Sequence, residues 1–452
     1  MTRLKFNNHA GYSVSNDEHV LLVDPWLEGA AFFEGWSLLD DSTSNAALID
    51  ELGRMGKPVT IWYSHEHSDH FSISFLKELK QAALPSVRIA YQRTMDRRVA
   101  THLRKMGWDV VELEPGEVLD LGGTISLQVW PFFDTGDSFS LVIADGVSVL
   151  NLNDCAVDAE WKCAHVAARV ARHAPTIDVL LTQFGYANWV GNEGDVALRK
   201  EAAQEKLRRV ALQVERLRPK AIVPFASFVR FCHEENAYLN AEQNTVDDLV
   251  ESREASPFRD RIHVMKPGDV WEPLGDMSTE ASSSARAAAV AHWRALARAE
   301  PAAPLRQRHR SSLEDLRLAA EGYRSGIDRN LVWTNHWMER LGVIKPVTIR
   351  VTDLDTTVQM SYRRGLQRAD APTAHLECTS EVLGFMFKND FGFNTTLVNG
   401  RFRTADMSAY SRVWRFFILQ DLKKMGLGAS TPWTTLRVIA RNVRKFFVRQ
   451  VS

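Results

Sequence analysis

Cysteine is scarce. The 452 residues hold four, Cys155, Cys163, Cys232 and Cys378, and none stands in a Cys-x-x-Cys pair or in a zinc-finger or iron–sulfur spacing. A disulfide framework and a self-contained iron–sulfur cluster are excluded, and a reducing compartment, the cytoplasm, is expected. Long apolar runs are missing too. No stretch of about 18 uncharged apolar residues occurs, so no transmembrane helix is expected. The opening MTRLKFNNHAGYSV has neither the basic start nor the apolar run of a secretion signal. Charge of one sign is not in excess: Lys and Arg number 55 against 56 Asp and Glu, a formal net charge of -1. No whole-chain field draws the chain to nucleic acid or to an anionic surface, and no nucleic-acid partner is expected.

What is present is an ordinary folded composition, 45% hydrophobic and 25% charged, over a length that suits two domains with cores of their own. Residues 1–275 alternate β-rich runs with helical stretches, the pattern of a layered α/β domain. Strands are expected at 20–25, 59–65, 87–91, 125–132, 140–146, 147–154, 177–184 and 221–226, with covering helices at Ala159–His173 and Asp195–Arg218. An Ala-, Ser- and Pro-rich stretch at 276–312 reads as a linker that turns helical through 285–298. Residues 313–452 mix helix (313–324, 328–342) and strand (346–352, 356–362) into a smaller α+β domain. No internal repeat is visible.

The chemistry concentrates where the run VTIWYS ends in His65-Glu66-His67-Ser68-Asp69-His70. Four ligand-type side chains converge where the chain leaves a sheet. His65 and His67 alternate and can face one metal, while Asp69 and His70 fall on the turn and can face a second. One loop does not close a coordination sphere, so further donors are sought at other strand ends. Asp154 ends VSVLNLND, where a carboxylate can bridge two metals or simply shape a turn. His233, just past AIVPFA in SFVRFCH, reads either as a last-strand ligand or as a structural loop histidine. Asp24, after VLLV, orients a ligating histidine or caps a turn. His9, in NNHAGYSV, lines the pocket or sits satisfied in a turn. Asp69, Asp154 and His9 are the candidate catalytic groups.

These segments resemble the metallo-β-lactamase superfamily and, within it, the catalytic region of the CMP-N-acetylneuraminate hydroxylase family. The resemblance rests on NNHAGYSV, VLLVDPWLEGAAFFEGWSLL, YSHEHSDHFSISFLKEL, VLNLNDC and LRPKAIVPFASFVRFCHEENAYLN over residues 1–245, with a weaker likeness to about 425. It implies an αββα sandwich followed by the α+β domain. It also implies His65, His67, Asp69, His70, Asp154 and His233 as metal ligands, with Asp24 and His9 beside the site. The family pairs its metal domain with a Rieske centre. This chain has no Cys-x-His and Cys-x-x-His pair, which leaves that module absent or on a separate Rieske or ferredoxin protein. Where the family places a third-motif histidine, this chain has Phe133, in WPFFDTGDS. A carboxylate from Asp134, or secondarily Asp137, is expected in that place, the alternative being that both only shape the turn.

Two activities follow from the resemblance. One is a metal-dependent, di-iron oxygenase hydroxylating an amine-, amide- or sugar-bearing small molecule with electrons from an external donor. The other is a dinuclear zinc hydrolase of an ester, lactone or phosphodiester. Two divalent ions are expected, iron first, with zinc or manganese as alternatives, and a non-catalytic scaffold is a third class. Gln183, Tyr186 and Trp189, in TQFGYANWVGN, are candidate pocket residues. The stretch Trp433–Arg449 carries a broad apolar face edged by arginines, which packs on its own domain or docks a partner or membrane surface.

Overall fold

The computed structural model describes residues 2–122, 124–133, 136–271, 280–299, 309–331 and 334–424. The chain divides into two compact units. The first comprises Met1–Val190, Asp195–Cys232 and Ala237–Pro304, and the second Gly191–Gly194, His233–Asn236 and Leu305–Ser452.

The first unit holds two large sheets. One contains β1 (Arg3–Asn8), β2 (Gly11–Ser15), β3 (Val20–Val23), β6 (Val59–Tyr63), β7 (Val87–Gln92), β8 (Val110–Leu113) and β16 (Val270–Trp271), in the order β16-β1-β2-β3-β6-β7-β8. The other contains β9 (Val118–Asp120), β10 (Ile125–Pro131), β11 (Ser138–Ala144), β12 (Val147–Asn151), β13 (Val179–Thr182) and β14 (Ala221–Pro224), in the order β14-β13-β12-β11-β10-β9. A small third sheet joins β4 (Ala30–Ala31), β5 (Trp36–Leu38) and β15 (Val229–Phe231).

Each large sheet is antiparallel in one half and parallel in the other. β1, β2 and β3 form a meander, whereas β3, β6, β7 and β8 are parallel. Likewise β9 to β12 are antiparallel, and β12, β13 and β14 are parallel. Parallel neighbours need crossovers, and helices provide them. In the first sheet these are α1 (Asn45–Met55), α2 (Ile73–Ala82) and α3 (Arg98–Lys105); in the second, α4 (Glu160–Val170) and α5 (Val196–Leu217).

The period-2 rule shows which face each strand side chain takes. Along β3, Val20 and Leu22 pack with α1 to α3, while Leu21 and Val23 pack toward the second sheet; along β6, Ile61 and Tyr63 face the helices and Trp62 the second sheet. Two sheets thus lie face to face with helices outside, the αββα sandwich expected. The tight β11–β12 hairpin turns on Asp145 and Gly146, both left-handed (φ 49° and 80°), the geometry an Asp-Gly pair adopts most readily.

Along the stretch read as a linker, α7 (Glu280–Arg298) follows α6 (Val246–Glu251) and belongs to the first unit. Its Trp293 is 1% exposed, stacks on Phe228 at 4.1 Å and donates its indole N–H to Met265 O at 2.8 Å. Ala289 is buried beside it, and His292 and Arg294 pair with Asp40 and Asp247, so this helix is packed on the core of the first unit.

The second unit carries a five-stranded sheet of β17 (Val347–Val351), β18 (Thr356–Ser361), β19 (Gly365–Arg368), β20 (Leu376–Cys378) and β21 (Arg403–Thr404), ordered β19-β18-β17-β20-β21. Its helices are α8 (Leu313–Leu331), α9 (Thr334–Arg340), α10 (Ser380–Lys388), α11 (Gly392–Asn399) and α12 (Met407–Lys424). The stretch Trp433–Arg449 lies outside the described residues.

Candidate metal centre

The strand ends of the first unit gather at one edge. Asp24 follows β3, Ser64 to His70 follow β6, Asp154 follows β12 and Gln183 follows β13. β1 runs parallel to β3 through the meander, so the β1–β2 turn with His9 arrives at the same edge. Pairing of Val23 with Trp62 sets Asp24 beside Ser64, and the Asp24 N–H reaches Trp62 O at 3.1 Å.

Asp24 is fully buried, and its carboxylate organises the loop. Oδ1 accepts the Ser64 backbone N–H at 2.8 Å, and Oδ2 accepts the Ser64 hydroxyl at 2.6 Å and His70 Nδ1–H at 2.8 Å. Since the Ser64 proton goes to Asp24, its oxygen accepts from His65 Nδ1, 2.9 Å away. Both imidazoles then carry their proton on Nδ1 and present an Nε2 lone pair, the tautomer a ligand needs. One carboxylate fixes two histidines, His70 directly and His65 through a hydroxyl.

The remaining donors close around those nitrogens. Asp154 lies with Oδ2 3.6 Å from His65 Nε2 and Oδ1 3.3 Å from His70 Nε2, a carboxylate set between two ligand atoms. Asp69 Oδ2 stands 3.5 Å from His70 Nε2 and 3.3 Å from His9 Nε2. His67 Nδ1 is 2.9 Å from His65 Nε2. Two groups of donor atoms result, His65 with His67 and Asp154, and Asp69 with His70 and His9, each within 4.8 Å. His65, Asp69 and His70 are buried, while His67 and Asp154 are partly exposed and mark the open side.

Charge in the cluster is unbalanced in the way a cation would relieve. Burial opposes a charge on His70, yet the carboxylates of Asp69, Asp154 and Asp24 raise its pKa well above the usual histidine range. Burial, reinforced by His70 and His67, holds His65 well below that range. Asp154 is lowered from the ordinary carboxylate value, because the attraction of His70, His65 and His67 outweighs its burial. Asp69 Oδ1 and His70 Nε2 are buried without a hydrogen-bond partner among the described residues. Such orphaned atoms are costly unless something else satisfies them. The nitrogen and oxygen donors present fit divalent iron, manganese or zinc.

Other expected residues fall in different places. Gln183 Nε2 donates to Asp154 Oδ1 at 2.6 Å and so steadies that carboxylate. Tyr186 is buried, with its hydroxyl spent on Leu239 O, and Trp189 is buried as well, so both serve the packing of this loop. His233 is buried within the second unit, its Nδ1 3.4 Å from Glu235 Oε2, and is in neither donor group. The ring of Phe133 packs on His165 at 4.5 Å and Trp161 at 5.4 Å. Asp134 lies outside the described residues. Near Asp137, the loop is tied to Ser64 O by Ser138 Oγ at 2.6 Å, and Gln92 Nε2 joins Gly136 O to the same carbonyl.

No family model matches the sequence. Among curated proteins, the chain is 26% identical over 277 residues to the cytidine monophosphate-N-acetylneuraminic acid hydroxylase of Danio rerio, covering 56% of this chain and 42% of that protein. The Mus musculus hydroxylase matches at 26% over 262 residues, 54% of this chain and 42% of its own. A Homo sapiens protein described as inactive matches at 26%, covering 54% and 48%. The chain thus spans less than half the length of these curated relatives. Among solved structures, a variant of CmlA β-hydroxylase aligns with a TM-score of 0.42 and 15% identity over 60% of this chain and 54% of that one. The metallo-β-lactamase fold protein YhfI from Bacillus subtilis aligns at 0.38 and 12% over 60% and 99%. The first unit itself is an αββα sandwich, two facing sheets between outer helices.

Proposed function

We propose that this chain is a metal-dependent oxygenase that hydroxylates an amine-, amide- or sugar-bearing small molecule, drawing electrons from a separate Rieske or ferredoxin protein. The observation that carries it is the donor set: histidine nitrogens and carboxylate oxygens without sulfur, with Asp154 between His65 Nε2 and His70 Nε2. Mixed imidazole and carboxylate ligation suits iron, and the curated relatives at 26% identity are described as hydroxylases. His65, His67 and Asp154 would hold one ion, and Asp69 and His70 the other. Iron held there would supply dioxygen activation. Asp69 and Asp154 serve as the acid–base carboxylates, Gln183 steadies Asp154, and the side left open by His67 and Asp154 admits substrate.

In this reading Asp137 takes the place of the histidine that Phe133 replaces. The support is that its neighbours are fastened to the residue preceding His65, Ser138 directly and Gly136 through Gln92, and that the Cys155 thiol, next to Asp154, is pushed up by burial and then by the charges of Asp137 and Asp154. Asp137→Asn is expected to lower bound metal per chain, with Asp134→Asn as the companion variant. Full metal content in both would remove the loop from the coordination sphere.

The decisive measurement is metal analysis and Mössbauer spectroscopy on freshly purified protein. Iron near two equivalents per chain, with turnover that needs dioxygen and a reductant, is the expected result. A colourless zinc protein that works under anoxia and inserts oxygen from water would replace this reading with the dinuclear zinc hydrolase of an ester, lactone or phosphodiester.

A further inference from the structure

Distance alone would count His9 with Asp69 and His70 as three ligands of one ion. The hydrogen bonds around its ring say otherwise. We propose that His9 is not a ligand but a positioning residue, locked as the Nε2–H tautomer, whose proton holds the Asp69 carboxylate in place beside His70. This rests on the metal-centre reading above.

The backbone of His9 is held on both sides. Its N–H donates to Asn8 Oδ1 at 2.9 Å, and its carbonyl accepts the Ala226 N–H at 2.9 Å. Its φ of 42° is left-handed, a conformation that a residue other than glycine keeps only where its surroundings enforce it. Asn8 is anchored in turn through Nδ2 on Asp40 O at 2.8 Å and Thr43 Oγ1 at 2.9 Å. The ring therefore has a fixed origin.

At the ring, the Phe228 backbone N–H lies 3.2 Å from Nδ1. A backbone amide only donates, so Nδ1 must accept and carry no proton. In the neutral imidazole the proton then sits on Nε2, which lies 3.3 Å from Asp69 Oδ2. A nitrogen bearing a proton has no lone pair for a metal. Turning the ring over would set a C–H against the Phe228 amide and another against the carboxylate, losing both interactions. Trp26 and His70 bracket the ring edge-on at 5.5 and 6.0 Å.

His65 and His70 are polarised the opposite way, each spending its Nδ1 proton on an acceptor and freeing Nε2. The three histidines thus divide into two that bind and one that donates. Asp69 stands with Oδ2 3.5 Å from His70 Nε2, and its Oδ1 and that Nε2 are buried without a hydrogen-bond partner among the described residues, polar atoms that an ion would satisfy. A hydrogen bond from a neighbouring imidazole fixes the direction of a ligating carboxylate, so His9 sets the orientation of Asp69.

Two measurements test this. In protein labelled with 15N-histidine, the metal-free His9 should show a bare Nδ1 and a protonated Nε2, and zinc should leave both unchanged while it shifts His65 and His70. A His9 Nε2 that loses its proton on zinc addition would make it a ligand and overturn the proposal. Should zinc shift no histidine, the metal-centre reading itself fails, while the metal-free spectrum still reports the tautomer. Second, His9→Gln keeps an acceptor and an N–H donor, whereas His9→Phe keeps neither. Zinc affinity should be near that of the parent in His9→Gln and at least tenfold weaker in His9→Phe. Equal loss in both variants, or no loss in either, would overturn the positioning role.

Discussion

Asp24 concentrates more consequence in one side chain than any ligand does, since both Nε2 lone pairs of the centre depend on its two oxygens. Asp24→Asn places an amide where two donors converge, and metal affinity is expected to fall between about 10- and 100-fold, read by chelator competition. Ser64→Ala interrupts only the relay to His65, so its loss should be smaller; an equal loss would show that the hydroxyl is not a separate step. The His65 to His70 cluster was legible in the sequence because four ligand-type residues in six positions have few other uses. Asp24 and His9 were half legible, placed near the site but without a role, since a role here is a matter of which proton faces which lone pair. Ser64 was missed: a serine ending a strand carries no signal. Gln183 was singled out for a substrate pocket and turns out to hold Asp154, a distinction that spacing along one loop does not encode.

At the scale of elements, long β-branched runs such as Val59–Tyr63 and Val147–Asn151 declared themselves, and each expected strand of the first domain is found within a few residues. The short strands Ala30–Ala31, Trp36–Leu38 and Val229–Phe231 did not, because two or three residues show no alternation and exist only through pairing. The helix Glu280–Arg298 shows the same limit from the other side. Its composition is that of a tether, and what makes it structural is a buried face led by Trp293, stacked on Phe228 and 6.4 Å from Phe6, with Ala289 beside it and Arg294 paired to Asp247. Trp293→Ala should cost about 3–5 kcal/mol, seen as a lowered denaturation midpoint. A midpoint within experimental scatter of the parent would mean that the helix is dispensable to the first unit.

For the whole molecule, a boundary drawn once along the sequence was too simple: Gly191–Gly194 and His233–Asn236 belong to the second unit. Buried polar pairs hold these excursions there. Arg401, 1% exposed, binds Glu235 and Glu381 at 2.7 Å each, and Asn192 donates to Thr404 O at 2.7 Å. Stability of the whole should also depend on pH through two histidines away from the metal centre. His19 and His263 are both lowered to about 4, chiefly by burial and then by Arg88 and Arg286 respectively. Their unfolded value is about 6.5, so the unfolded chain takes up protons first. Their contribution is complete above about 6.5 and is lost as pH falls toward 4, on the order of 2 kcal/mol per histidine with partial solvation allowed for. Melting temperature measured across that window should drop, and His19→Gln should flatten the profile; an unchanged slope would sink the assignment.

The edge where Asp24 meets Ser64, 40 residues away along the chain, also sets which parts of the centre need the folded sheets. These groups become neighbours only after β3 has paired with β6, and Asp154 joins them only after the second sheet has formed. The complete cage therefore exists only in the folded chain, although His65, His67, Asp69 and His70 are neighbours in sequence from the start, unlike a zinc finger, where metal and fold arrive together. Apolar burial between the sheets bears the cost of closing those long loops. Loading is then a late event on a finished scaffold. Stripping the ion with a chelator should leave the circular dichroism spectrum intact, and returning it should restore the centre in one fast step, without the slow phase of refolding.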